Sequence, residues 1–206
     1  MLPAKLYAHT MPKKHATPAR LEAFSDGVIA VIITIMVLEL KVPRGANLAD
    51  LLPVLPVLLT YVVSFVFIGI YWNNHHHMLH AVHSVSGRIL WANLHLLFWL
   101  SLVPFVTAWA GQNYRAARPV ALYGGVLLMC GVGYYFLERA LIAHEGEDSA
   151  LARALGNDVK GKASLGIYVI AILCSFINPW ISIALYVLVG VMWFIPDRRI
   201  EKTLAE

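Results

Sequence analysis

The chain has 206 residues, of which 59% are hydrophobic and 14% charged, and its mean hydropathy is +0.68. Soluble domains carry about 25% charged residues, so these values predict a membrane protein and argue against an ordinary soluble enzyme or binding domain. The formal charge of +4 is small and scattered among apolar stretches, which speaks against a nucleic-acid partner.

Residues 1–20 are polar and basic and hold no compact apolar core with a small-residue cleavage site. They are expected to form a cytoplasmic amino tail rather than a cleavable signal. Charged residues then punctuate six long apolar stretches. About 20 residues of helix cross a bilayer, and the spacing predicts spans over 22–41, 51–73, 88–110, 119–139, 162–178 and 180–196. The last two come from one stretch too long for a single crossing. It carries Asn178-Pro179 in its middle, where proline ends a helix, so a hairpin is expected there; one long kinked helix and five crossings is the alternative. The predicted architecture is an all-α membrane protein, with a transmembrane domain over 21–197 and a carboxyl tail over 198–206. The connection "HEGEDSALARALGNDVKGK" is the only one with room for a short amphipathic helix.

With six spans, twelve of the sixteen Lys and Arg fall on one side of the membrane. Basic residues mark the cytoplasmic face, so both termini are expected there, and a cell (inner) membrane location follows. Cys130 and Cys174 each lie in an apolar run outside any CxxC pair and read as packing residues.

The apolar cores of the later spans (Leu51–Trp72, Ile89–Ala110, Val120–Leu137, Ala163–Ile195) contain no Asp, Glu, Lys or Arg. A voltage sensor needs spaced Arg residues in a crossing helix, and a carbonyl filter of the TVGYG type is missing from the sequence. No catalytic triad or metal-hydrolase spacing is present either, so no enzyme is predicted.

Polar content therefore concentrates in the first span. At about 100° per residue, Gly27, Val31, Thr34, Ile35 and Leu38 share one face, and Asp26 falls on the opposite side. An aliphatic stripe by itself suits helix–helix packing. A carboxylate inside the lipid boundary costs a few kcal/mol unless paired, so Asp26 is expected to face protein. The candidate donors are Arg20, His75, His76, His77, the Trp91 indole and the Asn93 amide. Its bland alternative is an acid in the first turn of a helix, complementing the macrodipole.

Arg20-x-x-x-Phe24-Ser25-Asp26, followed by "GVIAVIITIMVLELKVP", resembles the transmembrane protein 175 family of potassium channels in its short prokaryotic form. "YWNNHHHMLH" (Tyr71–His80) and "NLHLLFWLSLVPFVTAW" (Asn93–Trp109) extend the resemblance over roughly residues 20–110. It implies six spans per chain, a homotetramer in the lipid bilayer, and a first helix lining a central pore without a carbonyl filter. Carried over by position, Val31, Ile35 and Leu38 become the aliphatic constriction, with Thr34 a polar layer beside them. The conduction implied is leak-like, of monovalent cations with potassium preferred, and no cofactor other than the permeant ion is implied. The resemblance also implies a buried polar network behind the pore helix, drawn from Arg20, Ser25, Asp26, one of His75–His77, and Trp91 or Asn93. Glu39 would stand at the outer mouth; pairing with Lys41 or Arg44 explains it equally well.

His75, His76, His77, His80 and His83 follow the second span. If the helix continues, His76, His80 and His83 share a face, a spacing compatible with zinc. The plainer reading, with no metal, is a cytoplasmic helix end that supplies one partner to Asp26. Two other functions remain open: a small histidine-dependent metal or proton-coupled transporter, and a non-conducting membrane scaffold. Transporters break helices near the midplane with Gly or Pro, whereas Val28–Leu40 has neither.

Overall fold

The structure is a computed structural model that describes residues 17–155 and 158–194. The terminal basic residues Lys5, Lys13, Lys14, Arg198, Arg199 and Lys202 lie outside the described residues. Among these, the elements are α1 (Pro18–Leu38), a 3₁₀ turn (Leu48–Leu51), α2 (Leu55–His80), α3 (Gly87–Ser101), α4 (Val103–Gln112), α5 (Ala117–Glu145), α6 (Ala150–Leu155), α7 (Val159–Ser175) and α8 (Pro179–Phe194). Four helical stretches are long and apolar enough to cross a bilayer: Pro18–Leu38, Leu55–His80, Gly87–Gln112 and Ala117–Glu145.

Proline sets several boundaries. Pro18 opens α1 and Pro179 opens α8, where the missing N–H costs nothing. Pro104 is the second residue of α4 and, lacking an N–H, cannot donate the helical bond to the Leu100 carbonyl; its ring also crowds that carbonyl. The rod Gly87–Gln112 therefore breaks at Leu102, whose N–H turns to Trp99 and Leu100 instead. A span was expected over 88–110; the break within it follows from this one ring.

α5 is the centre of the molecule. α3 and α7 pack along it, with α4 and α8 beside them. α1 packs on α2, α3 and α4, and α7 pairs with α8 across the turn at Asn178-Pro179. Close approach depends on glycine at two places. A Cβ on Gly111 of α4 would stand 2.8 Å from the Val57 Cα of α2, and one on Gly133 of α5 would stand 3.0 Å from the Leu96 Cα of α3. Small residues of this kind let membrane helices meet backbone to backbone.

Hydroxyl groups fasten the apolar core. Ser64 Oγ of α2 bonds both Thr107 Oγ1 of α4 at 2.7 Å and Tyr123 Oη of α5 at 2.9 Å. Tyr186 Oη of α8 donates to the Val120 carbonyl, and Ser182 Oγ to the Ala171 carbonyl. In an interior without water each buried polar atom needs such a partner.

α5 runs on to Glu145 and buries Glu138, which is 2% exposed. This helix, the fourth of the predicted spans, thus carries a buried carboxylate just beyond the charge-free stretch Val120–Leu137. It escaped the sequence reading because the helix extends past the run of apolar residues that announced it.

Candidate functional site

α1 has three longitudinal zones. Leu21, Ser25, Ile29, Ile32 and Met36, spaced four or three apart, are buried against the bundle. The face carrying Gly27, Val31, Thr34, Ile35 and Leu38 is uncovered: Val31 is 54% exposed, Ile35 44% and Leu38 80%. No atom outside α1 lies within 4 Å of a Cβ built on Gly27. This face, with the outer side of α4, borders a groove of about 890 Å³ lined by Phe24, Val31, Ile35, Pro104, Phe105 and Trp109 among others. Thr34 Oγ1 donates to the Val31 carbonyl at 2.9 Å. Glu39 is the exposed residue that caps the carboxyl end. Among the described residues it makes no ion pair with Lys41 or Arg44.

Behind the buried zone lies a three-helix hydrogen-bond chain. Ser25 Oγ donates to the Leu21 carbonyl at 2.9 Å and accepts from Asn93 Nδ2 of α3 at 3.0 Å. The Asn93 Oδ1 therefore faces His75 Nε2 of α2, 2.7 Å away. An amide oxygen only accepts, so Nε2 carries the proton and the tautomer of His75 is fixed. Ser25 and Asn93 are fully buried and His75 is 1% exposed.

The third zone is a polar seam on the flank shared with α2. Asp26 Oδ1 accepts from Trp72 Nε1 at 3.0 Å, and Glu22 Oε1 meets His76 Nδ1 at 2.6 Å and His80 Nε2 at 3.4 Å. Two acids four residues apart on α1 thus face three rings four residues apart on α2. The Trp72 and His76 rings stack at 6.1 Å with an interplanar angle of 25°.

These contacts revise the expected network. Ser25, His75 and Asn93 come together, but Asp26 does not join them; its partner is Trp72, which sequence reasoning missed. Arg20 is exposed and makes no ion pair with Asp26. Trp91 is 75% exposed and points away; two residues apart on a helix, Trp91 and Asn93 cannot face the same way. His77 adjoins the His76 ring at 5.7 Å without reaching Asp26. α1 begins at Pro18 and has no acid in its first turn, so Asp26 is not a helix-start acid. His83 falls beyond the end of α2 and pairs with Glu145 at 3.2 Å, so it does not share a helical face with His76 and His80.

The family model described as "Endosomal/lysosomal potassium channel TMEM175" matches residues 20–104, which carry α1 and the helices that hold it. A potassium channel of Chryseobacterium sp. is 55% identical over 190 residues, covering 92% of this chain and 99% of its own length. A potassium channel of Chamaesiphon minutus is 30% identical over 182 residues, covering 80% of this chain and 87% of its own. The crystal structure of a lysosomal potassium-selective channel TMEM175 homolog from Chamaesiphon minutus superposes with a TM-score of 0.75 at 29% identity, covering 86% of this chain and 96% of that one. With its apolar helices and matches running nearly end to end, this multi-pass membrane chain belongs to the TMEM175 family.

Proposed function

We propose that this chain is a potassium channel in which four copies turn the uncovered face of α1 toward a shared axis. Each copy crosses the cell membrane six times, through α1, α2, the α3–α4 rod, α5, α7 and α8, with both termini cytoplasmic. The observation that carries the reading is the division of labour on α1. Glu22, Ser25 and Asp26 are held by α2 and α3 at the back and flank, while the aliphatic stripe Val31, Ile35, Leu38 stays bare. The concave groove beside that stripe suits a neighbouring copy, and the potassium-channel relatives support the permeant ion.

A bare cation in a hydrocarbon slot costs tens of kcal/mol. Rings of Val31, Ile35 and Leu38 therefore act as a gate that dewets when narrow. Conduction requires the rings to widen until the ion passes with much of its water retained. Potassium is favoured modestly, because sodium holds its water more tightly. Glu39 at the outer end raises the local cation concentration. No cofactor enters this mechanism.

Purified chain in liposomes should release potassium faster than sodium, and Ile35→Asn should raise basal flux about 10-fold, equivalent to about 1.4 kcal/mol off the barrier. Absence of flux, or a flux that Val31→Asn and Ile35→Asn both leave unchanged in rate and selectivity, refutes the pore-lining role.

A further inference from the structure

We propose that Glu22, His76 and His80 form a zinc-class metal site that ties the start of α1 to the end of α2. The three donor atoms, Glu22 Oε1, His76 Nδ1 and His80 Nε2, lie within 4.8 Å of one another. Two imidazole nitrogens and one carboxylate oxygen are a donor set that zinc takes, at about 2.0–2.2 Å per bond. Ligands on a tetrahedron of that size stand about 3.4 Å apart. Glu22 and His80 already have that separation, at 3.4 Å. Glu22 and His76 are hydrogen-bonded at 2.6 Å, so admitting the ion requires that pair to open by less than about 1 Å.

The surroundings hold the donors in place. His76 and His80 are one turn apart on α2, with ring centroids at 4.3 Å. The Trp72 ring stacks on His76 and is itself fixed by Asp26. Glu22 comes from another helix and is largely covered, its side chain 18% exposed, whereas that of His80 is 60% exposed. Three protein ligands therefore leave a fourth position open to water, as in exchangeable sites rather than closed structural ones. α2 is 26 residues long, about 39 Å, against a hydrocarbon core of about 30 Å. Its last turns, and with them the cluster, stand at the aqueous edge, where an ion arrives without entering lipid. Borderline nitrogen and oxygen donors suit zinc, nickel or copper over magnesium or calcium.

The test uses tag-free full-length chain in detergent with His9→Ala and His15→Ala, which removes the histidines of the amino tail. Zinc titration by calorimetry should show one ion per chain, and zinc should raise the melting midpoint. His80→Ala, the most exposed ligand and the least able to disturb folding, should weaken binding at least 10-fold and abolish the thermal shift. Glu22→Gln should do the same, while His77→Ala and His83→Ala should bind as the parent. No zinc binding by the parent, or equal binding by His80→Ala and Glu22→Gln, overturns the proposal and leaves the cluster a histidine–carboxylate ion pair.

Discussion

Replacing Asn93 by leucine tests how α1 is anchored. Leucine has the same side-chain branching and number of heavy atoms as asparagine, so the change removes the hydrogen bonds while keeping the side-chain shape. Two contacts disappear, Asn93 Nδ2 to Ser25 Oγ and His75 Nε2 to Asn93 Oδ1. Ser25 keeps its bond to the Leu21 carbonyl. The His75 Nε2–H, in a side chain that is 1% exposed, is left facing methyl groups. Interhelical hydrogen bonds in membrane proteins are worth about 0.6 kcal/mol on average, and a stranded buried donor costs about 1–3 kcal/mol. Two lost bonds and one stranded donor sum to about 2–4 kcal/mol. Reversible unfolding in mixed micelles with increasing dodecyl sulfate, followed by tryptophan fluorescence, measures it. His75→Leu combined with Asn93→Leu removes the stranded donor as well, so the double variant should be more stable than the two single losses predict, by about 1 kcal/mol. A loss below about 0.5 kcal/mol, or strict additivity, would show that the three-helix chain does not hold α1.

Three further outcomes are expected. Gly111→Ala should destabilise by about 1–3 kcal/mol, since its methyl meets the Val57 backbone; Gly125→Ala, with nothing within 4 Å, should be neutral in the same unfolding assay. Glu39→Gln should reduce single-channel potassium current at about 10 mM salt and have no effect at about 1 M, where the Debye length falls to about 3 Å. Asp26→Asn keeps an acceptor for Trp72 and should assemble normally, whereas Asp26→Leu strands the indole N–H and should lower the yield of assembled protein on size-exclusion chromatography.

The helical period alone places Val31, Thr34, Ile35 and Leu38 on one face of α1, because an uninterrupted helix obeys that period whatever surrounds it. The partners of the other faces depend on how α2 and α3 are rotated, which no single helix records. "WAN" offers both Trp91 and Asn93, and only packing decides that Asn93 turns inward. The motif's charges likewise suggested Arg20 for Asp26, yet Arg20 is exposed in the first turn of α1 and it is the indole of Trp72 that reaches the acid. Glu22 and Trp72 were readable in principle: acids at 22 and 26 match rings at 72, 76 and 80 as two ladders of the same pitch. The break at Leu102 was legible in Pro104, and the buried Glu138 was not, since its helix outruns its apolar stretch.

The Thr34 hydroxyl has its proton engaged by the Val31 carbonyl. What it turns outward is lone pairs only. In the proposed tetramer, a ring of four such oxygens would meet a positive ion with no hydrogen to rotate away. An anion at the same level would have to break each intrahelical bond before finding a donor, at about 1 kcal/mol apiece. If α1 lines the pore as proposed, discrimination by sign of charge would follow from the backbone hydrogen bonding of α1, without any acidic residue beside Thr34.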